Sequence, residues 1–351
     1  MIELGNRYWD IPYNNFNYSY IDVAVDDYKY CTLSYDRLGI GNSSHGEPLN
    51  EIQSYLEVAA LAELTDMLRN GTFPGVKHAF EKITHVGHSF GSAQTYKLVS
   101  MYPGISDGIV LTGFSMNGSF AGFFLSGADF VLANLNQPYR FGNASFATGN
   151  AILSSLASTL NISSAGGMAA IKAYGLTDFF AGVQTKQKVE YCNGYLANKD
   201  VDTTQYLFLL PGHFDQGILY AGEEGKQPVT QGELLTLGSI PPKNPYKGPV
   251  MVFTGCKLPQ QVSITYIALY TDNLRTANDL PYCGGDCLAT GDPKLPSIPA
   301  AVQKNFPNVP DKDFDTYIQP NTGHGLNFHY NQTAGYNVIQ DFLSSKGLMS
   351  T

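Results

Sequence analysis

The sequence predicts an α/β fold: a doubly wound, mostly parallel sheet with an inserted, mainly helical lid. Three observations predict it. Apolar runs of strand length alternate with helical segments in the first third of the chain and return near its end. One strand-to-helix junction reads Gly87-His88-Ser89-Phe90-Gly91, of the form Gly-x-Ser-x-Gly. From about residue 115 to 246 the alternation stops, in a segment rich in Phe, Leu, Ala, Gly and Tyr. The core is therefore assigned to 1–114 and 247–351, and the lid to 115–246.

Taken in order, Asn17–Asp27 reads as a helix and Tyr28–Tyr35 as a strand. Ile52, Leu56, Ala59, Ala60, Leu64 and Met67 recur near helical spacing, which predicts a helix over about Leu49–Asn70. Lys82–Val86 reads as a short buried strand, Ser92–Met101 as a helix and Asp107–Thr112 as another buried strand. The most apolar stretch, Phe120 to Leu135, is interrupted by Ser126 and Asp129; it is short for a membrane span and reads as a buried helix. The sheet resumes at Pro249–Thr254. A last strand, about Phe314–Ile318, leads to Gly323-His324-Gly325, and a helix over about Ala334–Ser345 closes the chain.

Composition narrows the partners. A chain of 351 residues buries a large core. A net charge of −9 argues against nucleic acid, which needs a basic face. Five cysteines are too few for a disulfide scaffold; Cys283 and Cys287 lie close enough for a small local bridge, and no second Cys/His pair accompanies them to make a zinc site. Asn-x-Ser/Thr acceptors at Asn17, Asn42, Asn70, Asn117, Asn143, Asn161 and Asn331 favour a secreted protein. Yet Met1–Arg7 has neither the basic nor the apolar region of a signal peptide.

The Gly-x-Ser-x-Gly junction, with a strand before it and a helix after it, has the context of a nucleophile elbow: a tight turn that lifts the Ser89 hydroxyl above the sheet. Both glycines are expected to be required because a Cβ there would clash. A serine hydroxyl needs a base and a carboxylate that orients the base. His324, in a Gly-rich loop after the last strand, is the base of choice; His88 would point away from Ser89, and His85 belongs to the strand. The acid should follow the strand ending at Thr254-Gly255. Asp279 is the first good match, with Asp272 and Asp286 as alternatives.

On these segments the sequence resembles the α/β-hydrolase superfamily, and more closely a group of fungal secreted-type serine hydrolases with a lid. The matching stretches are Tyr35-Asp36-Arg37-Leu38-Gly39-Ile40-Gly41-Asn42-Ser43-Ser44, the elbow, Val110–Ser115, Asn278–Cys287 and Thr322–His329. The resemblance implies a Ser89, Asp279, His324 triad with the Phe90 backbone N–H in the oxyanion hole, no metal or cofactor, and a floor shaped by the Asp-Arg-Leu-Gly loop. The implied activity is cleavage of a carboxylic ester or related acyl bond in a small, apolar substrate, without stable membrane insertion. Phe120, Phe123, Phe124, Phe130, Phe179 and Phe180 would line an apolar lid. The alternatives are a lyase or other non-hydrolytic enzyme on the same fold, or an inactive truncated member.

Two departures from the family pattern carry expectations of their own. The family has three strands before the Asp-Arg-Leu-Gly strand, and the third sits beside the elbow strand and leads to a second oxyanion donor. Here Tyr8-Trp9-Asp10 resembles the stretch just after that loop, so Met1 is expected to be an internal start and the Tyr28–Tyr35 strand to lack its neighbour. Residues 256–277 have no counterpart, and removing them restores the strand-to-acid spacing; a retained intron is expected. Full-length transcript reads check both: sequence for further strands upstream of Met1, and spliced messages lacking 256–277.

Overall fold

The computed structural model describes residues 4–142, 191–256 and 279–349. All of the 256–277 insertion but Cys256, with Asp272 in it, and Phe179, Phe180, Asn143 and Asn161 lie outside these residues. The chain divides into two compact units, Met1–Phe130 with Ala197–Thr351, and Val131–Leu196. The smaller falls within the segment assigned to the lid. Its described part carries the helical turns Ala133–Asn136 and Pro138–Phe141, and the Tyr191 ring meets Phe141 and Tyr195 edge-on at 5.1 and 5.0 Å.

The larger unit is built on four strands, β1 (Thr84–His88), β2 (Gly108–Thr112), β3 (Val250–Cys256) and β4 (Phe314–Pro320), ordered β1-β2-β3-β4 and all parallel. Helices α1 (Ser54–Asn70), α2 (Phe90–Met101), α3 (Ala121–Ala128), α4 (Val201–Phe208) and α5 (Gln332–Ser345) flank or cap it. The period of two along each strand sorts side chains to two faces. Ile109, Leu111, Val250 and Val252 pack with Val58 of α1 and with Tyr96 and Val99 of α2. Val110, Met251 and Phe253 face the other way, onto Tyr336, Ile339 and Phe342 of α5. Both faces are apolar and both are covered by helices, so the doubly wound parallel sheet is what the molecule builds.

Three expected elements differ. Helix α1 starts at Ser54 rather than near Leu49, because the Glu47 carboxylate accepts the N–H groups of Leu49 (3.1 Å) and Asn50 (2.6 Å) and holds them in a turn. The Phe120–Leu135 helix is not continuous: α3 ends at Ala128, Asp129 turns left-handed (φ 44°), and Phe123 is 63% exposed rather than buried. Tyr28–Tyr35 forms no strand. Its residues Leu33 and Tyr35 line a groove of about 950 Å³ together with Thr84 and Val86 of β1. With that gap between them, neither this segment nor β1 supplies the other's ladder hydrogen bonds, and among the described residues β1 is an edge strand, less buried than β2 or β3.

The elbow helix α2 is braced by a buried ionic cluster. Arg37 Nε lies 2.5 Å from Glu233 and 3.3 Å from Glu57 of α1, and an Arg37 terminal N–H donates to the Pro228 carbonyl at 3.0 Å. Its guanidinium sits 5.8 Å over the Phe90 ring, and Gln94 of α2 donates to Glu57 at 2.7 Å. Burial and then the Glu233 charge push the Glu57 carboxyl above its usual range, and Arg37 opposes this. Breaking one partner of such a buried cluster leaves uncompensated charge. Arg37→Met should therefore lower stability by about 3–5 kcal/mol in urea unfolding, with much of the loss recovered when Glu57→Gln and Glu233→Gln are added. A change under about 1 kcal/mol, the worth of an exposed pair, would contradict this account.

Candidate active site

The site begins where β1 ends. Ser89 follows directly with φ 55° and ψ −114°, and α2 starts at Phe90. A non-glycine residue in this region costs of order 1–3 kcal/mol and is held only by its surroundings. Here the Ser89 N–H donates to the Thr112 carbonyl at 2.8 Å, and Ser92 Oγ donates to the same carbonyl at 2.7 Å. Gly87 is needed, since a Cβ there would lie 2.4 Å from the Gly91 carbonyl oxygen. The expectation for Gly91 is corrected: a Cβ at that position meets open space, because it projects away from the strand.

The structure brings Ser89, His324 and Asp279 into one hydrogen-bonded line. Ser89 Oγ lies 2.8 Å from His324 Nε2, and His324 Nδ1 lies 2.9 Å from Asp279 Oδ1. Because Asp279 accepts from Nδ1–H, Nε2 is left to accept the Ser89 proton. All three side chains are buried. Asp279's other oxygen accepts from Thr254 Oγ1 at the end of β3, so the strand that precedes the acid also anchors its carboxylate. Asp286 takes no part; it is exposed and accepts the Leu288 N–H in its own turn.

His324 is positioned by its loop. His329 Nε2 accepts the N–H groups of Gly323 and Leu210, both at 3.0 Å, while its Nδ1 donates to the Gly325 carbonyl at 3.0 Å. The Gly325 N–H donates to the Phe208 carbonyl at 2.7 Å, tying the loop to the end of α4. Gly113, at φ 54°, leaves the space into which the imidazole fits: a Cβ would stand 3.0 Å from His324 Cε1. The rings of Phe124 and Phe208 lie 6.1 and 6.0 Å from the His324 ring.

Several residues around the triad differ from expectation or were not foreseen. The His88 ring stands 4.9 Å from that of His324, stacked on Tyr8 at 4.3 Å, with Nδ1 2.9 Å from Thr112 Oγ1. Burial, and then the His324 charge, hold it well below its ordinary pKa, so it is neutral. His85 is a sheet residue as expected, bonded to Thr65 and Ser106. The Thr254 anchor, the His329 clamp and the Arg37 cluster were missed. His329 ends the Thr322–His329 stretch that drew attention to His324, so its signal was present; Glu57 and Glu233 carry none. Of the apolar lid residues, Phe124 reaches the site and Phe123 faces solvent. Asn331 donates to the Pro320 carbonyl at 2.7 Å and accepts from Thr322 at 3.0 Å, so its amide holds the turn before His324. Among the described residues no three His, Cys, Asp or Glu are grouped to hold a metal ion, and no helix is long and apolar enough to cross a membrane.

No family model matches the chain, and no curated protein is similar to it at a significant level. Several solved structures are similar. They include a methylesterase from Arabidopsis (12% identity, 97% of this chain and 94% of that one, TM-score 0.49) and tomato methylketone synthase I with 2-tridecanone (10%, 98% and 95%, 0.49). A thermophilic esterase from Thermogutta terrifontis is similar at 12% identity over 97% of this chain and 86% of that one, with TM-score 0.43. Likeness at these levels transfers neither activity nor residue roles.

Burial pushes His329 down to about 3 from its ordinary 6.5. The unfolded chain therefore binds a proton below 6.5 that the folded chain refuses until about 3, so this residue's share of stability is present above 6.5 and is lost as pH falls through that window. His329→Gln should flatten the acid side of the stability–pH curve in urea unfolding; an unchanged slope would show that His329 is not the group responsible.

Proposed function

We propose that the protein is a serine hydrolase of the α/β-hydrolase type, cleaving a carboxylic ester or related acyl bond through an acyl-enzyme. The observation that carries this reading is the unbroken line from Ser89 to His324 to Asp279 at 2.8 and 2.9 Å, with Ser89 held in a strained turn at the start of a helix. In this reading the Ser89 proton moves to His324 Nε2 as Oγ attacks the acyl carbon, and Asp279 stabilises the imidazolium. The Phe90 N–H, at the N-terminal end of α2, donates to the oxyanion. His324 returns the proton to the leaving alcohol, and water then releases the acid by the same sequence.

The rings of Phe124 and Phe208 beside His324 favour an apolar acyl or aryl group in the substrate. A secreted form is also proposed. The Cys283–Cys287 disulfide supports it, since such bridges persist in oxidising compartments.

Ser89→Ala, His324→Ala and Asp279→Asn should each lower kcat on a p-nitrophenyl acyl ester by about 10⁴-fold or more. A fluorophosphonate probe should modify the parent protein at Ser89 and leave Ser89→Ala unmodified. Turnover of substrate without release of the acid would favour a lyase, and labelling that survives Ser89→Ala would remove Ser89 as nucleophile.

A further inference from the structure

Of the three triad residues, Asp279 is the one that no strand end delivers. Ser89 follows β1 directly and His324 stands in the turn after β4, whereas Asp279 lies far along the chain from the end of β3, just before the helical turn Leu280–Cys283. The aim of its carboxylate therefore depends on contacts, and those contacts form a closed circuit. The Cys283 N–H donates to the Asp279 carbonyl at 2.8 Å. Cys283 is bonded through sulfur to Cys287. Cys287 Sγ stands 3.6 Å from the Gly255 carbonyl oxygen and 4.0 Å from Thr254 Oγ1, at the end of β3. Thr254 Oγ1 in turn donates to the Asp279 carboxylate. The disulfide is the link that returns the acid's turn to the strand.

The residues around the bridge suit this closure. Gly284 and Gly285 take φ of 62° and 91°, where a side chain would be strained, and they turn the chain back so that Cys287 meets Cys283. The Ile298 N–H donates to the Cys287 carbonyl at 2.8 Å, and Ser115 Oγ donates to the Tyr282 carbonyl at 2.8 Å. Asp279, Thr254 and Cys287 are fully buried and Cys283 nearly so. A disulfide sulfur carries no hydrogen and accepts only weakly, so Cys287 Sγ packs against the Thr254 hydroxyl without competing for its one proton. That proton is left to the carboxylate. We infer, on the acyl-transfer reading given above, that the Cys283–Cys287 bridge positions the acid of the triad: it keeps Asp279 against Thr254 and so aims the carboxylate at His324 Nδ1. Cys283 and Cys287 are positioning residues, acting on the reaction only through Asp279. Reduction undoes the circuit. A dithiol attacks the bridge, the S–S bond breaks, two electrons and two protons end on the two cysteine sulfurs, and the reductant leaves as a cyclic disulfide. The acid's turn then has no covalent tie to the sulfur beside Thr254.

Cys283→Ala with Cys287→Ala opens the circuit without adding a polar group beside Thr254. On a p-nitrophenyl acyl ester kcat should fall by about 10²-fold, the cost of a misplacement of about 1 Å near the reacting atoms. KM should stay within about twofold. A cycle with Asp279→Asn separates positioning from general support. Once the carboxylate is gone the bridge has nothing to aim, so adding the two alanines to Asp279→Asn should change kcat by less than about twofold. A bridge that only supports the fold costs the same factor in both backgrounds; equal factors overturn the inference, and so does an unimpaired double-alanine protein. Opening the parent's bridge with a dithiol is the second route, followed by thiol count and far-ultraviolet circular dichroism. Activity should fall in step with the bridges opened while the helical signal stays, and should return on reoxidation. If the double-alanine protein and the reduced parent both lose the helical signal, the bridge is a staple of the fold and the inference falls. Parent protein that a fluorophosphonate labels at Ser89 but that releases no acid overturns the hydrolase reading, and the same cycle run on labelling rate still decides the role of the bridge. If the parent neither labels nor hydrolyses, both fall.

Discussion

The backbone reversal at Ser89 is the constraint on which the rest of the site depends. A side chain at φ 55° is unfavourable by itself, so the residue must be held from outside. What holds it is the end of the neighbouring strand. The parallel register sets His88 beside Thr112, and the Thr112 carbonyl takes both the Ser89 N–H and the Ser92 hydroxyl. The turn is therefore clamped by the sheet, and α2 takes hold of it from the other side, since the Ser92 and Ala93 N–H groups donate to the Ser89 carbonyl at 3.0 and 3.1 Å. Gly113, one residue beyond the clamp, keeps clear the space beside two rings, since a Cβ there would lie 2.6 Å from His88 Cε1 and 3.0 Å from His324 Cε1.

A parallel sheet brings the C-terminal ends of its strands to one edge, and this converts distance along the chain into proximity. Ser89 follows β1, Thr254 stands near the end of β3, and His324 follows β4. Each partner is fixed by a contact outside the triad: Asp279 by Thr254, the His324 loop by His329 and by the Phe208 carbonyl. The hydrogen-bonded line is short because each member is restrained by contacts outside it, and such restraint is what the proposed general-base role of His324 would need.

The same site stands at the end of an edge strand. In the interior of a sheet, neighbours on both sides stiffen a strand; β1 has β2 on one side and an open groove on the other. Rigidity on the open side comes instead from the ionic cluster of Arg37, Glu57 and Glu233 under Phe90 and from the packing of α1 on α2. Buried charge is a costly way to brace a helix, since its desolvation offsets much of the attraction. It does impose direction: the planar guanidinium is held by two carboxylates and a carbonyl at once.

Local sequence determined what repeats locally. The strands near Lys82, Asp107, Pro249 and Phe314, the helices after Leu49, Ser89 and Ala334, and the elbow were legible because apolar period and glycine placement act over a few residues. Ser89 and His324 stood out because each sits in a glycine-bounded turn that follows a strand. Tertiary structure alone decided what depends on a neighbour. Tyr28–Tyr35 has strand composition but lies across a groove from β1, and a ladder needs a partner at hydrogen-bonding distance. The sequence favoured Asp279 over Asp272 and Asp286, but what holds it came from the fold alone, which brings the Thr254 hydroxyl and the His324 ring to that carboxylate. The Arg37 cluster and the bond from Leu210 to His329 join residues tens to hundreds of positions apart; no periodicity encodes such contacts, since they arise only when the sheet has set its strand ends side by side.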